Sequence, residues 1–189
     1  MTDNTPLPRS EVMANWTYNL MRWTWKVADL FNNPSKLLDD FSIEPGWKVI
    51  DYGCGPGRYL KRASEQVGPE GKVYAVDIHD IAIVCARSLI KKHHLSNVVP
   101  VKAMDYFAPI PEDTADLIYV LDVFHMISHT NLFLQELHRL VKPYGRLILE
   151  DGHQKREKTL KKVLASKRWK IQSETSKHLV LKPVYKVIT

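Results

Sequence analysis

Short apolar, β-branched runs alternate along the chain with longer stretches in which apolar positions recur every three to four residues. The runs at 47–52, 72–78, 98–103, 115–121 and 145–151 predict strands, and helical spacing at about 57–67, 79–93 and 128–141 predicts the helices between them. Strands that are apolar at consecutive positions are covered on both faces, which calls for a parallel sheet with helices on each side. The stretch 105–114 holds Pro109 and Pro111 where a fourth crossover helix belongs, so that helix is expected to be short or missing. Beyond 151 come a basic helix at 154–166 and strand-like runs at 169–174 and 178–186. The two runs, joined by 175–177, read as an antiparallel hairpin on the sheet edge. The expected fold class is α/β: a doubly wound, mainly parallel seven-stranded sheet with helices on both faces and a C-terminal hairpin.

Ahead of the first strand, Trp16, Leu20, Trp23, Val27 and Leu30 form one helical stripe within 15–31, and Tyr18, Met21, Trp25 and Phe31 lie off it. A helix apolar over so wide an arc has a second side to cover something. Residues 1–42 therefore read as an N-terminal helical lid or cap on a body at 43–189, within one domain. With Arg22 and Lys26, the aromatic segment also suits a membrane interface; plain packing on the sheet is a third use.

Composition narrows the field. Hydrophobic residues at 44% and charged residues at 25% exclude a disordered chain, a collagen-like repeat and a disulfide scaffold. No apolar run approaches the roughly 20 residues that span a bilayer. The first residues lack the basic-then-apolar layout of a secretory signal. Two cysteines, Cys54 and Cys85, are too few for a framework, so a reducing, cytoplasmic setting is expected. The net charge of +6 is uneven: 154–189 carries 11 Lys and Arg against two Glu, while the rest is slightly acidic. Such a segment suits RNA, an anionic membrane or an anionic substrate. It equally suits a solvated helix face, which is preferred here, so nucleic acid is disfavoured. No feature of the sequence specifies an oligomer.

The chemistry begins at the first turn. Asp51 closes a strand and Gly53, Gly55 and Gly57 follow, so the backbone can turn tightly and approach a ligand. Arg58 stands where a dinucleotide fingerprint needs glycine, which disfavours NAD and FAD, and no G-K-[ST] follows, which excludes a P-loop. A carboxylate just before the glycines repels a pyrophosphate and suits an ammonium group. Asp77, ending the second strand 20 residues past Gly57, is placed to accept from ribose hydroxyls. Asp105, at the end of the third, is placed to accept from an adenine amino group. Three strand-end carboxylates fit a cationic, adenosine-containing ligand.

This pattern, with the runs 116–126 and 136–149, resembles the class I S-adenosylmethionine-dependent methyltransferases over about residues 43–151, in particular the small-molecule and lipid enzymes of the ubiquinone/menaquinone type. Tyr144 replaces a glycine of the family's last motif. The resemblance implies that Asp51 and the glycine turn hold the methionine end of S-adenosylmethionine and that Asp77 binds the ribose. It implies Ile78 against the adenine face, Met104 and Asp105 at its edge, and Leu121 beside the sulfonium. The segment 15–31 would fold over the cofactor with Tyr18 or Trp16 facing it, and S-adenosylhomocysteine would be the product.

Acceptor residues must lie past the fourth strand, where Asp122 and His125 stand, and an imidazole can take a proton near neutral pH. A capping or packing role for His125 is the alternative. Asp122 with Glu150 or Asp151 is similar to the magnesium acids of catechol-type enzymes, but Gly152 replaces their Asn, so no metal is expected. His79, His93, His94 and His153 read as surface residues. The absence of [DN]-P-P-[YF] and of a Pro-Cys pair argues against base methylation. The expected function is methyl transfer to a small molecule. A membrane lipid or quinone acceptor, through peripheral membrane contact, is the alternative, and an RNA-associated or non-catalytic module stands third.

Overall fold

The computed structural model describes residues 14–18 and 34–185. Most of the aromatic helix expected at 15–31 lies outside the described residues; 15–18 are helical, with Trp16 exposed and Tyr18 buried.

The described chain runs β1 (Lys48–Tyr52), α1 (Leu60–Val67), β2 (Lys72–Asp77), α2 (Asp80–His93), β3 (Val98–Lys102), β4 (Ala115–Val120), α3 (Thr130–Leu140), β5 (Val141–Glu150), α4 (Arg156–Ala165), β6 (Trp169–Glu174) and β7 (His178–Pro183). Short 3-10 helices cover Pro34–Phe41 and Phe124–Met126. One seven-stranded sheet results, in the order β3-β2-β1-β4-β5-β7-β6, parallel through β5 and antiparallel where β7 meets β5 and β6. The expected fold class and the hairpin are therefore present.

The two-residue period of each strand sends alternate side chains to two separate cores. Ile50, Tyr52, Val76, Ile118, Val120 and Leu149 join Phe133, Leu134 and Leu137 of α3 on one face. Val49, Val73, Leu117, Tyr119 and Ile148 pack with Leu60 and Ala63 of α1 on the other. Leu38 and Phe41 lie under that second face, and Arg146 of β5 donates to the carbonyls of Phe41 and Ser42.

One departure from the expected boundaries has a local cause. β5 starts at Val141 rather than 145, because its pairing with β4 jumps from Ala115–Val141 to Leu117–Arg146. The slack accommodates Pro143, and the Asp116 carboxylate bridges the irregularity by accepting from Lys142 Nζ at 2.6 Å and Lys48 N–H at 2.9 Å. No helix forms between β3 and β4, in line with the two prolines. An ion pair fastens this connection instead. Glu136 of α3, buried, accepts from Ala108 N–H at 3.0 Å and from Arg139, while Arg139 donates to the carbonyls of Ala108 and Ile110 at 3.0 and 2.8 Å.

Candidate active site

The strand order reverses between β1 and β4, so their carboxyl ends splay open there. The glycine turn fills the opening. Gly53 and Cys54 N–H groups both donate to Val76 O, at 2.8 and 3.0 Å, which folds the turn over the end of β2. Gly53 has φ +86°, and a Cβ on it would stand 2.5 Å from Val123 Cγ2, so only glycine fits. Cys54 is buried, with its thiol pushed well up by burial, and serves as a small filler rather than a nucleophile.

Asp77 Oδ2 accepts from Gly55 N–H at 2.9 Å and Oδ1 from His79 N–H at 2.8 Å. Burial raises its carboxyl and these two bonds oppose the rise. The same side chain thus fixes the glycine turn and faces the cleft. Asp51, only 2% exposed, pairs in register with Tyr119 of β4 on the second face of the sheet. Burial pushes its carboxyl up to about 8; the Tyr119 phenol opposes the shift and the charge of Asp77 adds to it. Asp51 Oδ2 has no hydrogen-bond partner among the described residues.

A cavity of about 120 Å³ opens above the turn, lined by Tyr18, Gly53, Gly55, Asp77, Ile78 and Asp105 among the residues anticipated from sequence. The Tyr18 ring stacks on His79, with centroids 4.2 Å apart and planes at 17°. Other predicted residues stand elsewhere. Gly57 packs against Leu89 and Leu60 behind the turn. Met104 is 66% exposed and outside the cavity: its backbone bridges to Phe107, and Asp105 takes a left-handed φ of 53° that turns the chain. Leu121 is buried in the second core, away from the cavity.

The cavity also has walls that the sequence did not point to: Tyr52, Tyr106, Val123, Met126, Ile127 and Phe133. His79, expected at the surface, is instead buried in its wall, its N–H tied to Asp77 and its ring under Tyr18. Tyr52 and Tyr106 meet Phe133 edge-on at 5.4 and 5.7 Å, and the Tyr52 hydroxyl donates to Tyr106 O. Residues from β1, the β3–β4 connection and α3 make this cluster. Only the adjacency of His79 to Asp77 and of Tyr106 to Asp105 hinted at any of it.

At the β4 and β5 ends, Asp122 adopts φ 54° and donates its N–H to Glu150 Oε2 at 2.8 Å. His125 Nδ1 and His153 Nε2 stand 3.8 and 3.6 Å from Asp122 Oδ1. Burial lowers the proton affinity of His125, and the charge of Asp122 opposes that shift. Asp151 accepts from Arg156 Nε at 2.7 Å, and Arg156 also reaches Glu174. Of the acids considered from sequence beside Asp122, Glu150 holds the Asp122 N–H and Asp151 holds Arg156.

A reversed strand order, a glycine turn at the reversal and carboxylates on three neighbouring strand ends define the class I methyltransferase fold. The residues fit S-adenosylmethionine: Asp77 suits a ribose and Ile78 with Asp105 an adenine, while the orphaned Asp51 oxygen, which lies beneath the turn and outside the cavity lining, suits an ammonium group. Comparison with known proteins agrees. A family of methyltransferase domains matches residues 43–185, and the chain belongs to it. The ubiquinone/menaquinone biosynthesis C-methyltransferase UbiE of Teredinibacter turnerae is 32% identical over 108 residues, covering 57% of this chain and 43% of that protein. UbiE of Cupriavidus metallidurans is 29% identical over 140 residues, covering 74% and 54%. The chain thus spans about half the length of these curated relatives. A solved S-adenosylmethionine-dependent methyltransferase from Aquifex aeolicus superposes with a TM-score of 0.70 at 29% identity, over 80% of this chain and 90% of that one.

Proposed function

We propose that the protein transfers a methyl group from S-adenosylmethionine to a small-molecule acceptor, releasing S-adenosylhomocysteine. The observation that carries the reading is the buried Asp51 oxygen, without a partner among the described residues, beside a glycine turn whose Gly55 N–H is held by Asp77. The donor, when bound, supplies a methyl on an already activated sulfonium. The chain's own work is alignment and proton handling. Asp51 meets the ammonium, Asp77 the ribose, and Ile78, Asp105 and Tyr106 enclose the adenine. Tyr18 closes the cavity from above as part of an N-terminal lid. Asp122 and the imidazole of His125 address the acceptor from the β4 end.

Calorimetric titration with S-adenosylmethionine and S-adenosylhomocysteine tests the cofactor half. Asp77→Ala should weaken binding by roughly 1–3 kcal/mol, the scale for losing hydrogen bonds to a charged group. Unchanged affinity would refute the ribose assignment. With methyl-labelled donor and a cell extract as acceptor source, His125→Ala should lower turnover while leaving donor affinity within about twofold. Turnover at the wild-type level would reduce His125 to a packing residue.

A quinone or lipid acceptor is the second reading. Met104, Phe107 and Met126 are exposed, Met126 at the cavity itself and the other two on the connection that carries Asp105 and Tyr106. The curated relatives are named for ubiquinone and menaquinone biosynthesis. Label partitioning into the organic phase, with flotation on anionic vesicles, would support this reading; label in the aqueous small-molecule fraction supports the first. No described helix is long and apolar enough to cross a membrane. A cytoplasmic location with peripheral membrane contact is part of this proposal.

A further inference from the structure

Asp122, His125 and His153 converge from the ends of β4 and β5, outside the half of the cleft that holds the donor. We propose that they form a binding site for one divalent transition-metal ion of the zinc type. One ligand atom from each lies within 4.8 Å of the other two. Ligands about 2.0–2.2 Å from a tetrahedral zinc stand roughly 3.3–3.6 Å apart. Asp122 Oδ1 is already 3.8 and 3.6 Å from the two imidazole nitrogens, so the site closes by turning the His153 ring, whose side chain is 81% exposed. Two imidazoles and one carboxylate are the donor set of open zinc sites, which keep a position for water or substrate. Imidazole nitrogen disfavours magnesium and calcium, which take oxygen ligands.

Three further features hold the trio in place. The Asp122 N–H is tied to Glu150 Oε2, which fixes the residue in its left-handed conformation. Gly152 has φ +63°, and a Cβ there would lie 2.1 Å from His125 Nδ1. Glycine is therefore what lets the segment bearing His153 pass over the His125 ring, and the two imidazoles sit edge to face at 4.9 Å. His125 Nδ1 is sheltered from solvent and has no hydrogen-bond partner among the described residues, which leaves that nitrogen available for coordination.

Val123, Met126 and Ile127, which flank His125, line the cavity, whereas the three ligands themselves do not, so the ion stands beside the cavity rather than inside it. There it would take an acceptor carrying a hydroxyl or enol oxygen and favour its ionised form. That role rests on the methyltransferase reading, whereas metal binding itself does not.

The test uses the full chain without an affinity tag, titrated with Co²⁺ as a visible-absorbing substitute for Zn²⁺. One equivalent should bind with a visible band that Zn²⁺ displaces, and His153→Ala should weaken it at least tenfold. His94→Asn, on an exposed histidine capping α2, should leave it unchanged. Because His153 is exposed, its loss does not threaten folding, and donor affinity measured on the same variant should equal wild type. Cobalt binding that is equally tight in wild type and His153→Ala overturns the site. Normal donor binding with no cobalt band also overturns the site and leaves the methyltransferase reading standing. Cobalt binding with no donor affinity does the reverse.

Discussion

Asp51→Asn should stabilise the donor-free protein by roughly 2–4 kcal/mol at pH 7 and weaken S-adenosylmethionine binding by tenfold or more. The carboxyl is buried with one oxygen unpartnered among the described residues, and burial raises it to about 8 in the folded state. In the unfolded chain it ionises near its ordinary value of 3.8. Between those two values the folded state holds a proton that the unfolded state has lost. Stability from this residue therefore falls steadily as pH rises from about 4 to about 8, and is level beyond. Asparagine has no charge to desolvate, so its profile should lack that slope. The same charge is what an ammonium group of the donor would neutralise, which is why the gain in stability comes with a loss of affinity. Urea denaturation of both proteins at pH 5, 7 and 9 checks the first half, and calorimetry the second. Parallel stability profiles would show that Asp51 is ionised and satisfied in the donor-free fold.

Arg139→Ala should destabilise the chain by about 3 kcal/mol, the lower end of the range for breaking a buried pair, since the guanidinium is partly exposed. The substitution strands the Glu136 carboxylate in the core, and frees the carbonyls of Ala108 and Ile110. Glu136→Ala should cost less, because Arg139 keeps both carbonyls. Donor affinity should fall in Arg139→Ala as well, since the connection it pins carries Asp105 and Tyr106 into the cavity. Thermal denaturation with and without S-adenosylmethionine separates these effects. If Glu136→Ala proves the more harmful of the two, the pair is not what holds the connection.

Much of this architecture was legible in the order of residues. Strands covered on both faces announce themselves as unbroken apolar runs, and 47–52 and 72–78 matched β1 and β2 to within a residue at each end. Asp77 and Asp105 could be placed because a strand end is a short-range feature. Leu121 illustrates a signal that was present but unread. The strand period puts it on the face of Tyr119, and it packs there rather than in the cavity. The walls made by Tyr106 and Phe133, and the meeting of His153 with Asp122, depend on which strand ends are neighbours. That is decided by sheet order, which no local spacing encodes. His153 in particular reads as an ordinary surface residue until Gly152 is seen to bring it over His125. The Glu136–Arg139 pair looks like any exposed helical i, i+3 pair until the helix-free connection is laid across it.

The unsatisfied carboxylate under the glycine turn ties the lifetime of the protein to its donor supply. A ligand that binds only the folded chain adds RT ln(1 + [L]/Kd), about 2.7 kcal/mol at a hundredfold excess over Kd. A fold that carries a desolvation penalty when empty draws a larger share of its net stability from that contribution. Molecules without donor unfold more often and are open to proteases in proportion. Scarcity of methyl donor then lowers the amount of enzyme as well as its saturation, with no regulatory domain required.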